Sequence, residues 1–302
     1  MTAIDIVLPY FNGSAYVSEQ IESIFKNDLD GILLRLIIIN DASTKTETEF
    51  LKALLPPNHL YLENETNLGV IKSVEKGLKA SAAPYVMLCD HDDVWLPKKI
   101  KHSLNLLRDI EADSPAMVYT DLIISGPKLE KIHHSMLDYY GYRFDKANPS
   151  ILFKNIVTGC TIIMNRKLIE FALPFPVHLP MHDHWLAVCA VFAGKLELLK
   201  ESTILYRQHG KNQIGAPLDG VFSKLLKLDH VIDKFQTQVD LKTEMVRALS
   251  QRLDDSVFLT QIVDAFEKRD VLFLIRKGVI RGSFIQVLGA FFFFLRIKKK
   301  IS

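Results

Sequence analysis

The stretch PYVMLCDHDDVW, residues 84–95, runs from a proline through an apolar segment, Tyr85–Cys89, straight into Asp90, His91, Asp92 and Asp93. A short apolar run without polar alternation reads as a strand covered on both faces, as in parallel sheets flanked by helices. Its carboxyl end, where the carboxylates crowd, is where open α/β sheets place their ligand crevice. Taken alone, the cluster is either a solvated acidic turn or a place for a divalent cation. Oxygen-ligated Mg2+ or Mn2+ suits it better than an all-protein zinc cage.

The same pattern recurs on both sides. Ile4–Pro9 and Leu34–Ile39 read as buried strands, and Ser18–Lys26 between them carries Ile21, Ile24 and Phe25 on one helical face. Asp41-Ala42-Ser43-Thr44 offers caps for a helix over Glu47–Leu55, which Pro56-Pro57 ends; Leu60–Glu63 is a further strand. Asn67-Leu68-Gly69 turns into a helix over Val70–Ala80. Downstream, Leu96–Ile110 and His184–Phe192 read as helices, and Ala116–Tyr119, Thr161–Met164 and Lys195–Leu205 as strands. The polar, His- and Tyr-bearing stretch up to Asn148 reads as a loop over the ligand. This alternation predicts an α/β fold with a mostly parallel central sheet, ending near Gly220. From Val221 the spacing of Phe222, Leu225, Leu226, Val231 and Phe235 predicts a small helical region, so the expected division is 1–220 and 221–302.

Composition narrows the function. The chain has 302 residues, 48% of them hydrophobic, and a formal charge of +2, which supports a sizeable core and excludes a chain-wide field for nucleic acid. Cys89, Cys160 and Cys189 lie too far apart for a disulfide scaffold or structural zinc, and reduced, buried thiols are expected. The start MTAIDIVLPYFN lacks a basic segment followed by a long apolar one, so an intracellular protein is expected. The anomaly is FIQVLGAFFFFLRIKKKIS, 284–302. Its apolar part is too short to span a bilayer, which takes about 20 residues. Basic flanks fit an interfacial helix on an anionic membrane surface; the alternative is packing on the catalytic body or a partner subunit. The helices after Val221 offer a homodimer interface.

Further candidates sit at predicted strand ends. Asp41 can accept hydrogen bonds from a nucleoside or cap the next helix, and Asn12 can serve the same crevice or stabilise a turn. Met181-His182-Asp183-His184-Trp185 places a carboxylate just before a helix, as a general base or an N-cap, with Trp185 as an apolar wall. Arg207, His209 and Lys211 in YRQHGKN suit a pyrophosphate or metal-bound leaving group.

Taken together, IVLPYFNG (6–13), IINDAST (38–44), NLG (67–69), CDHDDVW (89–95), TGC (158–160), MHDHW (181–185) and YRQHGKN (206–212) resemble inverting family 2 glycosyltransferases of the GT-A fold, especially bacterial rhamnosyltransferase-like members. The resemblance spans about the first 215 residues. It implies a nucleoside-diphosphate sugar donor, with Pro9, Tyr10, Asn12 and Asn67 shaping the nucleotide pocket and Asp41 and Asp90 contacting the nucleoside. Asp92 resembles the last carboxylate of the family's DXD motif and is the expected metal ligand, with His209 on metal or diphosphate and Arg207 on the leaving group. Asp93 is expected to support that shell or bind sugar, Asp183 to be the catalytic base, and Trp185 to contact sugar or acceptor. The implied reaction transfers a sugar, L-rhamnose from dTDP-L-rhamnose first, to a saccharide or lipid-linked saccharide in bacterial surface polysaccharide synthesis. A UDP-hexose or UDP-N-acetylhexosamine donor is the alternative. A non-catalytic nucleotide-sugar-binding protein and a metal-dependent phosphohydrolase are the competing classes; the latter lacks the extra ligands of a two-metal site.

Overall fold

The computed structural model describes residues 1–142, 149–209 and 228–281. The chain divides into two compact units. The first comprises Met1–Lys146, Ile156–Pro174 and Cys189–Gly215; the second comprises Ala147–Asn155, Phe175–Val188 and Ala216–Ser302. The expected boundary near Gly220 and the tail 284–302 lie outside the described residues, as does Lys211.

In the first unit, β1 (Thr2–Tyr10), α1 (Val17–Phe25), β2 (Ile32–Asn40), α2 (Lys45–Ala53), β3 (His59–Glu63), α3 (Val70–Ala80) and β4 (Tyr85–Leu88) alternate as the apolar runs require. The unit continues with β5 (Val94–Trp95), α4 (Lys99–Glu111), β6 (Ala116–Ser125), β7 (Lys131–His133) and α5 (Met136–Tyr139). After the return from the second unit come β8 (Ile162–Asn165), α6 (Arg166–Ala172) and β9 (Lys195–Arg207). Helix α7 (His182–Ala193) belongs in part to each unit, while α8 (Leu228–Arg252), α9 (Val257–Glu267) and α10 (Val271–Arg276) belong to the second.

The strands form one nine-stranded sheet in the order β3-β2-β1-β4-β8-β6-β9-β5, with β7 beside β6. The expected mostly parallel sheet is in fact mixed. β1, β2, β3 and β4 pair in parallel, but β8 is antiparallel to both β4 and β6, and β5 and β7 run antiparallel to β9 and β6. The consequence for the site is small, because a strand antiparallel to two neighbours leaves those neighbours running the same way. β6 and β9 are parallel, so β1, β2, β3, β4, β6 and β9 all present their carboxyl ends at one edge.

The core lies on the faces of this sheet, where Ile4, Ile6, Leu8, Leu36 and Ile38 pack with Ile24, Leu104 and Val118. Helix α3 approaches closely: a Cβ on Gly77 would stand 2.4 Å from Val7 Cγ1, so only glycine fits there. Asp5 is the polar exception. Only 2% exposed, it accepts both Arg35 Nε and Nη2 at 2.8 Å, Ser81 Oγ at 2.7 Å and the amides of Ala82 and Ala83 at 3.1 Å. It thus ties β1 to β2 and to the turn that enters β4. Burial pushes its carboxyl up, but the hydrogen bonds from Arg35, Ser81 and Ala83 outweigh burial and hold it below the ordinary value. Its contribution is therefore full above the unfolded carboxyl range and disappears as pH falls through the depressed folded value. Asp5→Ala should cost about 3 kcal/mol in urea unfolding at neutral pH, since it strands Arg35 and three further donors.

In the second unit, α8 and α9 pack through Val239, Met245, Leu249, Ile262 and Phe266, all buried. Phe153 stacks on Phe266 with centroids 6.4 Å apart. Among the described residues no helix is long and apolar enough to cross a membrane.

Candidate functional site

At the carboxyl edge of the sheet the loops after β1 and β2 are bound together. Asn12, at φ +48°, donates its amide to Ser43 Oγ and accepts the Thr44 amide on its side-chain oxygen, each at 3.0 Å. Thr44 to Glu47 has the spacing of a capping box. The Glu47 carboxylate, however, reaches across to Tyr10 Oη (2.5 Å) and to Ser14 N and Oγ (2.9 and 2.7 Å). Tyr10 meets the His91 ring edge-on at 5.7 Å, and His91 bonds the Pro9 backbone. Gly13 is the glycine this packing demands, because a Cβ there would lie 2.2 Å from His91 Cδ2. Pro9, Tyr10 and Asn12 thus form a rigid rim with the acidic turn.

Asp41 caps a helix, though not the next one. Its carboxylate accepts Asn64 Nδ2 (2.7 Å) and the amides of Leu68 (2.9 Å) and Gly69 (2.8 Å), at the start of α3, while Asn67 Nδ2 donates to the Asp41 carbonyl at 3.3 Å. The cap of α2 is Thr44. Asp41 and the NLG turn are therefore one construction, and three acceptor positions of Asp41 are already occupied within the fold.

The acidic turn closes against the end of β9. His209 Nε2 lies 2.9 Å from Asp92 Oδ2, and its ring stacks on Tyr16 at 4.8 Å. Arg207 departs from expectation. Its side chain is 4% exposed, and its guanidinium donates to the Asp92 carbonyl (2.8 Å), the Pro127 carbonyl (2.6 Å) and Glu19, over the face of Tyr16. The group expected to meet a diphosphate instead fastens α1, the acidic turn and the segment after β6. Its amide donates to Asp93 Oδ1 at 3.1 Å. Asp93 is fully buried, and burial together with Asp92 and Asp90 pushes its carboxyl well up.

Ligand atoms of Asp90, Asp93 and Cys160 lie within 4.8 Å of one another. Burial raises the Cys160 thiol well above its ordinary value, and sulfur is a poor partner for Mg2+ or Mn2+. The oxygens of Asp90, Asp92 and Asp93 are the right chemistry for a hard cation. Asp92 Oδ2 and His209 Nε2, 2.9 Å apart, set a further oxygen and a nitrogen donor side by side. The residues present therefore fit a divalent cation.

Sequence reasoning missed Lys99. On α4, just beyond the acidic turn, it is fully buried, its Nζ has no hydrogen-bond partner among the described residues, and it sits 4.8 Å over the Trp95 ring. Burial lowers its amine to about 8. The signal available was faint: a lysine at one apolar-face position of an amphipathic helix.

Asp183 and Trp185 belong to the second unit. Asp183, 7% exposed, lies in the first turn of α7, where a carboxylate complements the helix dipole. It accepts Asn155 Nδ2 at 2.9 Å and the His184 amide at 2.6 Å. Trp185 was expected against sugar or acceptor, but it is fully buried with the Arg252 guanidinium 4.7 Å over its ring. The nearly all-apolar composition of α7 explains this, since such a helix is enclosed on every side. His182 and His184 are buried, and burial lowers each to about 4. His184 Nε2 donates to the Ile151 carbonyl at 2.5 Å, whereas His182 Nδ1 has no partner among the described residues. A lowered histidine means the unfolded chain binds the proton first, so stability is full above about pH 6.5 and falls as pH drops towards 4. At about pH 5 each imidazole should cost about 2 kcal/mol, and His182→Gln should flatten the fall in a urea titration across pH 7 to 5.

The chain matches the sequence profile of Glycosyl transferase family 2 over residues 5–171. A glycosyltransferase of Rickettsia bellii is 25% identical over 222 residues, covering 70% of this chain and 31% of that relative. The chain thus spans about a third of that relative's length, and 51% of a second from Rickettsia prowazekii. The dTDP-rhamnosyl transferase RfbG of Shigella flexneri is 23% identical over 275 residues, 83% of this chain and 86% of RfbG. Among solved structures, the mannosyltransferase PcManGT of Pyrobaculum calidifontis, with GDP-Man and Mn2+, aligns at TM-score 0.56 and 14% identity over 95% of this chain and 73% of its own. S. aureus TarS 1-349 with UDP-GlcNAc aligns at TM-score 0.52 and 17% identity, over 92% and 88%. At these identities the structural likeness establishes the fold.

Proposed function

We propose, because the chain belongs to glycosyl transferase family 2, that it transfers a sugar from a nucleoside-diphosphate donor to a hydroxyl of a saccharide or lipid-linked saccharide, with inversion. The observation that carries this reading is the convergence of Pro9, Asn12, Asp90, Asp92 and His209 at the carboxyl edge of the sheet. Pro9, Tyr10 and Asn12 frame the nucleotide, with Asp41 acting through the Asn67–Gly69 turn. Asp90 and Asp92 with His209 would hold a divalent cation, which would offset the charge gathering on the departing diphosphate.

Asp183 is proposed as the base. The acceptor oxygen forms a bond to the anomeric carbon as the bond from that carbon to the diphosphate oxygen breaks, and the acceptor proton passes to the Asp183 carboxylate. One base and an electrostatic leaving-group site suffice for a single displacement, without the second carboxylate nucleophile of a retaining enzyme. For the donor, a UDP-hexose or UDP-N-acetylhexosamine stands ahead of dTDP-L-rhamnose, whose support is the likeness to RfbG. Attachment of 284–302 to an anionic membrane, facing a lipid-linked acceptor, completes the proposal.

The test is a donor panel of UDP-glucose, UDP-N-acetylglucosamine, GDP-mannose and dTDP-L-rhamnose with Mn2+ or Mg2+, with NMR assignment of the product anomer. An inverted glycoside from one donor, lost on chelation, is the expected result. Retention of configuration would sink the single-displacement reading, and activity insensitive to chelation would remove the cation.

A further inference from the structure

Beyond the donor edge, one surface of the first unit carries a run of aromatic rings that nothing above uses. His133 meets Tyr139 edge-on at 5.4 Å, Tyr139 meets Tyr140 edge-on at 5.0 Å, and Tyr140 stacks on Tyr142 at 5.3 Å. Tyr139 is 48% exposed.

The rings are held in place from below. Asp121, 8% exposed on β6, accepts the Ser135 hydroxyl and the amides of Met136 (3.1 Å) and Leu137 (3.2 Å). Ser135 Oγ in turn accepts the Asp138 amide at 3.0 Å. One buried carboxylate therefore fixes the short helix that ends on Tyr139, so little ordering cost is left for binding.

Register locates this wall. Ile124 of β6 pairs with His133 of β7 on one side and with Tyr206 of β9 on the other, and Ser125 pairs with Arg207. Two strand spacings separate β7 from β9, so the wall begins about 10 Å from the end of the strand that delivers His209 to Asp92.

We propose that Tyr139, braced edge-on by His133 and Tyr140, is the ring against which a saccharide acceptor packs. This rests on the transferase reading and names the chemistry of its acceptor. The apolar C–H face of a pyranose is weakly positive and meets the negative face of an aromatic ring, while the exposed Tyr139 hydroxyl and Asp138 supply hydrogen bonds at the rim. The amphipathic ring suits a sugar chain better than a lipid tail, which would gain nothing from the hydroxyl.

The experiment is an array of rhamnose-, glucose- and N-acetylglucosamine-containing trisaccharides probed with the full chain, beside calorimetric titration with UDP, dTDP and GDP in the presence of Mn2+. Tyr139→Ala should weaken the best trisaccharide about tenfold and Tyr139→Phe, which keeps the ring, much less. Nucleoside-diphosphate affinity should hold within about twofold in both, as a misfolded variant would not allow. Equal trisaccharide binding by Tyr139→Ala and the natural chain overturns the proposal, as does Tyr139-dependent binding to phosphatidylcholine vesicles free of sugar. A natural chain that binds nucleoside diphosphate but no trisaccharide also overturns it, leaving the transferase reading intact. Absence of nucleoside-diphosphate binding would count against that reading itself.

Discussion

Asp183→Asn should lower kcat by about 10²–10⁴-fold, the usual worth of a positioned general base. The substitution isolates the chemistry. An asparagine oxygen still accepts from Asn155 Nδ2 and the His184 amide, two bonds that help hold Asp183 in the first turn of α7. The helix loses a favourable charge at its amino end, a matter of about 0.5 kcal/mol. Nucleoside-diphosphate affinity and the unfolding midpoint should therefore stay near their natural values while turnover collapses. A variant within tenfold of the natural kcat would end the assignment of Asp183 as the base.

Asp92→Ala should be the second large loss, about 10²–10³-fold in kcat/KM, because it removes both a proposed cation ligand and the partner of His209. The diagnostic readout is equilibrium binding. In the natural chain Mn2+ should tighten nucleoside-diphosphate binding, and in Asp92→Ala the two titrations should become independent. Asp93→Asn is the useful contrast, since an asparagine oxygen can still accept the Arg207 amide. Unchanged coupling between Mn2+ and nucleotide in Asp92→Ala would discard Asp92 as a ligand.

Much of the fold was legible because buried strands and amphipathic helices write themselves in hydrophobic spacing. The helix over Val70–Ala80 matches to the residue, since a glycine precedes it and an apolar face runs its length. Strand direction was not legible. Ile162–Asn165 has the apolar composition of a parallel strand but lies antiparallel between two others, and burial on both faces looks the same either way. The sequence pattern ends β6 at Tyr119, where a polar stretch begins. All ten residues to Ser125 are buried, and the Asp121 carboxylate is satisfied by partners fourteen to sixteen positions away.

The candidate site divides similarly. Residue types at strand ends pointed to Asn12, Asp41 and the acidic turn, because topology brings strand ends together. What each side chain holds was invisible: Arg207 and Trp185 look like ligand contacts by composition and are enclosed by Glu19, Pro127 and Arg252. Such partnerships depend on tertiary neighbours that periodicity does not encode.

Lys98 and Lys99 stand side by side, the first exposed and the second sealed. An acylating reagent meets the Lys98 amine at every collision, but meets Lys99 only when α4 lifts from the sheet. The ratio of the two labels is thus a stopwatch built into adjacent residues, counting openings beneath the acidic turn against a clock that never stops. A nucleotide that binds only the closed form would slow the second hand and leave the first untouched.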